Sequence, residues 1–89
     1  MDISFRTLAE VDYDALWTLW NSTEQTRRAL NPVDDSRAGF GRYVRRNPET
    51  CFAALTGGRM VGAVLGGHDG RRGIIHHLCV HPEFRRRGI

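Results

Sequence analysis

The chain has 89 residues, of which 40% are hydrophobic and 26% charged. This composition fits one soluble globular domain with a modest core and excludes a disordered polypeptide. Its 13 basic residues, all of them arginine, exceed its 10 acidic residues and give a formal net charge of +3. No apolar run reaches the length of a membrane span and no apolar leader opens the chain, so we expect a cytoplasmic protein with no membrane partner.

The first predicted elements are a strand and a helix. Alternating apolar and polar residues predict a half-buried strand over Ile3–Thr7. Thr7 and Glu10 have the spacing of a capping box, which predicts a first helix over Glu10–Ser22. Its apolar stripe has helical spacing and favours a role in the core. The stripe consists of Tyr13, Leu16, Trp17 and Trp20.

A second helix follows a segment with no clear pattern. We interpret Thr23–Pro32 as a mobile connection and Asp34 or Asp35 as the cap of the second helix. Gly39 and Gly41 each cost about 1 kcal/mol relative to alanine in a helix interior, so they weaken this prediction. One helix face would then carry Ser36, Phe40, Tyr43, Val44 and Asn47.

Two apolar runs after the second helix predict a hairpin. They span Thr50–Leu55 and Arg59–Gly66, and Gly57 and Gly58 between them supply the positive φ that a tight turn needs. A second turn at residues 69–70 leads into a third apolar run. These three runs predict an antiparallel meander.

The third run, Ile74–Val80, predicts a buried strand that ends near His81, because Pro82 has no N–H for a sheet ladder. Cys51 and Cys79 both lie in strand-like runs, which predicts two reduced, buried thiols and no disulfide.

The basic excess is confined to the last third of the chain. Residues 1–59 carry eight arginines and eight acidic residues, whereas residues 60–89 carry five arginines, two acidic residues and all four histidines. The last of these arginines, Arg85, Arg86 and Arg87, stand directly before Gly88. Guanidinium groups and free backbone N–H groups beside a glycine bind phosphate, so the pattern indicates a phosphate-bearing ligand at the end of the third strand.

These residues resemble the acetyl-CoA-binding signature of the GNAT superfamily of N-acetyltransferases. The resemblance rests on Leu78, Val80, Pro82, Phe84 and the spacing Arg85-x-x-Gly88. It implies an α+β fold of the GNAT-type acyl-CoA N-acyltransferase class. Residues 1–89 would form a single partial domain, the N-terminal half: a strand, two helices, a three-stranded antiparallel meander and the start of the pyrophosphate helix.

The resemblance also implies a cosubstrate, acetyl-CoA, and an amine acceptor that is a small molecule or a protein. Backbone groups of Leu78, Cys79 and Val80 would pair with pantetheine and polarise the thioester. The pyrophosphate would meet Arg85, Arg86, Arg87, Gly88 and Ile89. Candidate residues of the acceptor pocket, by resemblance alone and without a chemical role, are Trp20, Asn21, Phe40 and Tyr43.

Two adjacent histidines are candidates for the general base. An imidazole titrates near pH 6.5, which suits proton abstraction from an amine at neutral pH. Side chains alternate along a strand, so we expect only one of the pair to reach the acceptor; we favour His77 and keep His76 open. No carboxylate lies between Arg71 and His81, so a cationic acceptor would lack a partner there. Alternatively, both histidines only pack or lie at the surface.

Two other functions compete for the same residues. His77, Cys79 and His81 are spaced by two, would face one side of a regular strand, and would suit a metal-binding module. Arg85–Arg87 could instead contact nucleic acid, but the cluster is short and lacks interleaved aromatic residues, so we expect no nucleic-acid partner.

A half domain implies limits on activity. By resemblance, the general-acid tyrosine of the family has no counterpart in this chain, so we expect weak acetyl-CoA binding and little or no turnover. The strand Ile74–Val80 would leave an open apolar edge, which predicts self-association.

Overall fold

The structure is a computed structural model that describes residues 2–68 and 70–85. Three helices lie between the first strand and three further strands of the same sheet, and the α+β class predicted from the sequence is confirmed. The elements in chain order are β1 (Ser4–Thr7), a 3-10 turn (Glu10–Asp12), α1 (Tyr13–Trp20), α2 (Glu24–Ala29), α3 (Arg37–Arg46), β2 (Cys51–Thr56), β3 (Arg59–His68), β4 (Gly73–Val80) and a second 3-10 turn (Pro82–Phe84).

The four strands form one antiparallel sheet in the order β1-β2-β3-β4. Phe5 of β1 pairs with Ala54 of β2, and Ala53 of β2 pairs with Ala63 of β3. The turn between β2 and β3 has positive φ at Gly57 (56°) and Gly58 (79°), as the sequence predicts. β1 and β4 are the edge strands among the described residues, and self-association through β4 stays a prediction. β4 is mostly exposed, so the prediction of a buried strand was wrong.

The core lies between the helices and one face of the sheet. Its largest fully buried side chains include Trp20 and Leu16 from α1 and Phe40 from α3. Cys51 and Cys79 are free and buried in the same core, and burial raises the pKa of the Cys51 thiol. No helix in the described part of the chain is long and apolar enough to cross a membrane.

The start of the first helix differs from the predicted capping box. The chain enters through a 3-10 turn, and α1 ends at Trp20 instead of Ser22. Asp12, not Thr7 and Glu10, closes the turn: its carboxylate accepts a hydrogen bond from the Ala9 N–H at 2.8 Å. The same carboxylate accepts two hydrogen bonds of 2.8 Å from Arg6 of β1. This ion pair joins the first strand to the first helix, and its sequence spacing gave no sign of it.

The segment predicted as a mobile connection contains a helix, so that prediction was wrong. The Thr23 hydroxyl accepts a hydrogen bond from the Thr26 N–H at 3.1 Å and begins α2. This helix has no buried residue, which explains why the hydrophobic pattern missed it. The cap of α3 is also corrected: the Ser36 hydroxyl, not Asp34 or Asp35, accepts from the Gly39 N–H at 3.1 Å.

Candidate active site

A β-bulge in β4 shapes the candidate site. Cys79 pairs with Ala63 of β3, but the next pair along the ladder joins His76 to Leu65. Two residues of β4, His77 and Leu78, therefore stand opposite one residue of β3. His77 has a φ of 51°, and it is the sole non-glycine residue with positive φ in residues 2–68 and 70–85. The bulge breaks the alternation of side chains at the two candidate histidines.

His77 forms a close pair with Asp35, which lies 42 residues earlier. Its Nε2 atom is 2.9 Å from both carboxylate oxygens of Asp35. The two side chains are 18% and 6% exposed, so water screens this pair poorly. The indole of Trp20 meets the imidazole edge-to-face with ring centres 5.2 Å apart. The imidazole is thus held by a carboxylate and by an aromatic ring of the core.

The position of Asp35 is fixed by the loop before α3. Its carboxylate accepts a hydrogen bond of 2.7 Å from the Asn31 N–H, and its backbone carbonyl accepts one of 2.7 Å from the Tyr13 hydroxyl. Gly39 allows the loop to approach α3, because a Cβ at this glycine would lie 2.3 Å from the Asp34 carbonyl oxygen. The glycine that weakened the helix prediction therefore has a packing role.

A cavity of about 440 Å³ opens beside this pair. Both His76 and His77 line it, although the alternation of side chains along a regular strand predicts that the two point to opposite faces. The Tyr43 ring packs edge-to-face on His76 at 5.6 Å, and burial raises the pKa of Tyr43. We call this the acceptor cavity, after the role that the sequence predicts for one of its two histidines; its lining residues are Ala29, Asn31, Asp34, Asp35, Tyr43, Leu65, His76 and His77.

A second cleft, of about 470 Å³, runs between α2 and the end of β4. The Arg85 Nε–H donates to the Val80 carbonyl at 3.3 Å, so this cation lies at the end of the strand. Two residues, Ala29 and His77, line both this cleft and the acceptor cavity. We call it the β4 cleft; it is lined by Gln25, Thr26, Ala29, His77, Leu78, Cys79, Val80 and Arg85.

The structure separates the candidate binding residues into groups. The four described residues named for the cosubstrate, Leu78, Cys79, Val80 and Arg85, line the β4 cleft together. The other four candidates, Arg86, Arg87, Gly88 and Ile89, lie outside the described residues.

The four pocket candidates also separate. Tyr43 lines the acceptor cavity. Trp20 and Phe40 are 0% and 1% exposed and belong to the core, although Trp20 still touches His77. Asn21 lies away from the cavity at the end of α1, where its amide donates to the Trp17 carbonyl at 2.8 Å.

The arrangement that a metal-binding module would need is not formed. The Cys79 thiol turns into the core, 3.6 Å from the Thr26 hydroxyl and 3.8 Å from the Leu19 carbonyl. His81 instead lies 3.2 Å from the Arg59 guanidinium. Within residues 2–68 and 70–85, no three His, Cys, Asp or Glu side chains are grouped to hold a metal ion. The bulge at His77 removes the common face that the spacing implied.

Sequence reasoning missed Asp35 as a partner of His77. The sequence pattern indicates at most a helix cap at Asp35, and no carboxylate lies between Arg71 and His81, near the two histidines. The sequence shows a short polar loop before α3, but a polar loop does not indicate which distant side chain its residues contact.

A family model described as "Acetyltransferase (GNAT) family" matches residues 13–89. An acetyltransferase of Pectobacterium atrosepticum is 36% identical over 87 residues, which cover 98% of this chain and 59% of the relative. An acetyltransferase of Photorhabdus laumondii is also 36% identical over 87 residues, with 98% and 58% covered. The chain therefore spans less than three fifths of the length of these two relatives.

Solved structures share the fold. The PaiA N-acetyltransferase of Thermoplasma acidophilum, in complex with coenzyme A, superposes with a TM-score of 0.84 at 14% identity, over 100% of this chain and 65% of that one. The GNAT-like decarboxylase GphF, in complex with isobutyryl-CoA, has a TM-score of 0.72 at 24% identity, over 93% and 51%. The described elements and the sequence match together lead to one assignment: the chain belongs to the GNAT family of acetyltransferases.

Proposed function

We propose that this chain carries the donor and acceptor sites of an N-acetyltransferase that moves an acetyl group from acetyl-CoA to a primary amine in a ternary complex. One observation carries the proposal: His77 lines both the acceptor cavity and the β4 cleft. A residue at this junction can serve a reaction in which a nucleophile in one space attacks an electrophile in the other. Residues 1–89 would form one part of the domain.

The donor would lie in the β4 cleft. On an edge strand, outward N–H and C=O groups are available to a ligand that pairs as a further strand, as the amides of pantetheine can. An N–H group of Leu78–Val80 would also stabilise the oxyanion that forms on the thioester carbonyl. Arg85 supplies positive charge at the end of this cleft for a phosphate group. The Thermoplasma neighbour, solved with coenzyme A, supports the same ligand class here.

The acceptor amine would enter from the other side. Its nitrogen attacks the thioester carbon, the C–S bond breaks, and the thiolate of coenzyme A leaves. His77 takes the proton that the attacking nitrogen must lose, which is the role of a general base. His76 lines the same cavity and remains the second candidate for this role.

The charge of the acceptor cavity favours a cationic amine. Asp34 and Asp35 line it, and no arginine of the described part of the chain does. A protonated amine would be attracted to these carboxylates before it loses its proton. The partner that the sequence lacked near His77 is therefore supplied by the loop before α3.

The test is a calorimetric titration with acetyl-CoA, followed by mass-spectrometric detection of acetylated products from a panel of mono- and diamines. The chain spans 59% of the length of its Pectobacterium relative. It is therefore assayed beside a longer version, extended at its C-terminus to the length of that relative. We expect binding that weakens about tenfold in Arg85→Ala, the magnitude of one charge-assisted hydrogen bond.

A matched control removes the same charge elsewhere. Arg45→Ala breaks an exposed ion pair with Glu10 and should leave acetyl-CoA affinity unchanged within about twofold. If the longer chain binds no acetyl-CoA, or if both variants lose affinity equally, the proposed donor site is wrong.

A further inference from the structure

Resting on the proposed function, we infer that Asp35 is a positioning residue for His77: it holds the imidazole so that Nδ1, and not Nε2, is the nitrogen that accepts the proton of the acceptor amine. The two residues act as one unit, although they come from the loop before α3 and from β4. The inference follows from the contacts of the pair, the protonation chemistry of imidazole and the backbone of the bulge.

The first step concerns the proton on the ring. Nε2 of His77 lies 2.9 Å from both oxygens of Asp35, and a carboxylate can only accept hydrogen bonds. A bare Nε2 lone pair at this distance would repel the carboxylate, so Nε2 carries the proton. In the neutral imidazole, Nδ1 is then unprotonated, and it is the one ring atom that can take a proton.

The second step concerns the rigidity of the carboxylate. Asp35 is only 5% exposed, and one of its oxygens also accepts a hydrogen bond from the Asn31 N–H at 2.7 Å. Its backbone carbonyl accepts one from the Tyr13 hydroxyl at 2.7 Å, and Tyr13 packs on Phe40 with ring centres 5.8 Å apart. The Asn31 N–H therefore restrains the carboxylate, and the hydrogen bond from Tyr13 of α1 restrains the backbone of Asp35, so the carboxylate is not free to follow the imidazole if the ring turns away.

The third step concerns the backbone of His77. Its φ of 51° places the residue in a left-handed conformation that costs a histidine free energy relative to an extended strand. On a regular strand the side chains of His76 and His77 would point to opposite faces, but the bulge lets both line the acceptor cavity. Strain of this kind persists where surrounding contacts hold it, and the contacts that hold His77 are Asp35 and the Trp20 ring.

The fourth step concerns the charge formed in the reaction. When Nδ1 accepts a proton, His77 becomes a cation, and the Asp35 carboxylate at Nε2 stabilises that cation where screening by water is weak. The other titratable side chains that line the two spaces around His77 are Asp34, Tyr43, His76, Cys79 and Arg85. Of the titratable side chains around His77 in the described part of the chain, it is Asp35 that hydrogen-bonds the ring, at 2.9 Å.

The experiment combines nitrogen NMR with kinetics. Long-range ¹⁵N–¹H spectra of the histidine rings, recorded on the 89-residue chain, should show His77 protonated at Nε2 and bare at Nδ1 when neutral. Asp35→Asn keeps the shape but can offer an amide N–H to Nε2, so we expect the Nδ1–H form to gain population. A His77 ring that is protonated at Nδ1 in the unmodified chain would overturn the inference.

The kinetic measurements use whichever of the two proteins, the 89-residue chain or the longer version, transfers acetyl groups. Asp35→Asn should lower kcat by about 10- to 100-fold, a part of the usual contribution of a general base, with the KM for acetyl-CoA unchanged within about twofold. Asp14→Asn is the matched control, because the Asp14 side chain on α1 is 82% exposed, pairs with Arg37 and lines neither of the two spaces around His77. Its kcat should equal that of the unmodified protein.

A double-mutant cycle separates positioning from a general loss of structure. His77→Asn suits the left-handed backbone, because asparagine adopts positive φ more readily than most residues. Once His77 is replaced, Asp35→Asn should have no further effect on kcat, whereas an effect of the same size in both backgrounds would overturn the inference. If Asp35→Asn fails to fold, Asp35→Glu, which keeps the carboxylate, should preserve the Nε2–H form.

The outcomes distinguish the inference from the function on which it rests. Suppose that no form of the chain transfers an acetyl group, but the His77 ring is protonated at Nε2 and loses this signature in Asp35→Asn. The proposed function is then refuted, whereas the pairing of Asp35 with His77 is supported. If the protein is active and Asp35→Asn changes neither kcat nor the protonated nitrogen of the His77 ring, the proposed function stands and the positioning role of Asp35 is refuted.

Discussion

Asp12 links the first strand to the start of the first helix through an ion pair whose strength depends on pH. Its carboxylate accepts two hydrogen bonds from Arg6 and one from the Ala9 N–H, and the residue is 8% exposed. The hydrogen bonds from Arg6, more than any other interaction, hold the pKa of Asp12 below its ordinary value, although burial opposes them. A carboxylate of lowered pKa stabilises the folded chain above its unfolded pKa, near 3.9, and loses that effect as the pH falls through the folded pKa.

We therefore predict that Asp12→Asn lowers the free energy of unfolding by about 1 to 2 kcal/mol at neutral pH, a value reduced for the partial exposure of Arg6. The difference should begin to shrink as the pH falls below about 4 and should approach zero only below the lowered folded pKa of Asp12, where the unmodified carboxyl is also neutral. Urea denaturation at a series of pH values measures it. A difference that stays constant down to pH 2 would contradict the assigned role of the ion pair.

Of the paired residues His77 and Asp35, only His77 could be predicted as a site residue from the sequence. The sequence identified His77 as a candidate base, because an imidazole beside a predicted cosubstrate strand is a chemical signal. It could not identify Asp35, because nothing local relates two residues separated by 42 positions. The positive φ of His77 was equally invisible, since the usual signal for it is glycine or asparagine.

At the scale of elements, Gly39 allows the preceding loop to pack closely against α3. A Cβ at Gly39 would lie 2.3 Å from the Asp34 carbonyl oxygen, which is backbone and cannot move aside cheaply. A Cβ at Gly41, two residues later in the same helix, would meet the Glu10 carboxylate at 2.6 Å, the far end of a flexible side chain. Both substitutions gain the same helix propensity, so the pair isolates the effect of the close approach.

We predict that Gly39→Ala lowers the free energy of unfolding by about 1 to 3 kcal/mol, because the loop must move away from the helix. Gly41→Ala should be neutral or stabilising by up to about 1 kcal/mol. Thermal and urea unfolding give both values, and the His77 ring resonances should shift in the first variant alone. Equal stability of the two variants would show that the loop does not depend on the close approach at Gly39.

The elements also show which sequence signals are strong. The β2–β3 hairpin was predictable because two apolar runs flank Gly57 and Gly58, whose φ values are both positive. Helix α2 was not predictable in the same way, because it buries no residue and is held by the Thr23 cap. An apolar pattern reports burial, and a polar helix leaves no such pattern.

For the whole molecule, the antiparallel sheet and the order of elements other than α2 followed from periodicity, turn chemistry and the resemblance near the end of the chain. The acceptor cavity and the β4 cleft did not follow, because each combines residues from a loop or helix with residues from β4. Their relation depends on one inserted residue at the bulge. Fold was therefore predictable from local patterns, whereas the site required the tertiary structure.

The most direct measurement of the donor site is backbone amide mapping of the 89-residue chain by ¹⁵N–¹H NMR during titration with acetyl-CoA. If acetyl-CoA lies in the β4 cleft, the largest shifts should be those of Leu78, Cys79, Val80 and Arg85, with smaller ones on α2 at Gln25 and Thr26. Saturable shifts confined to β1 and β2, or no shifts at millimolar acetyl-CoA, would contradict a donor site beside β4.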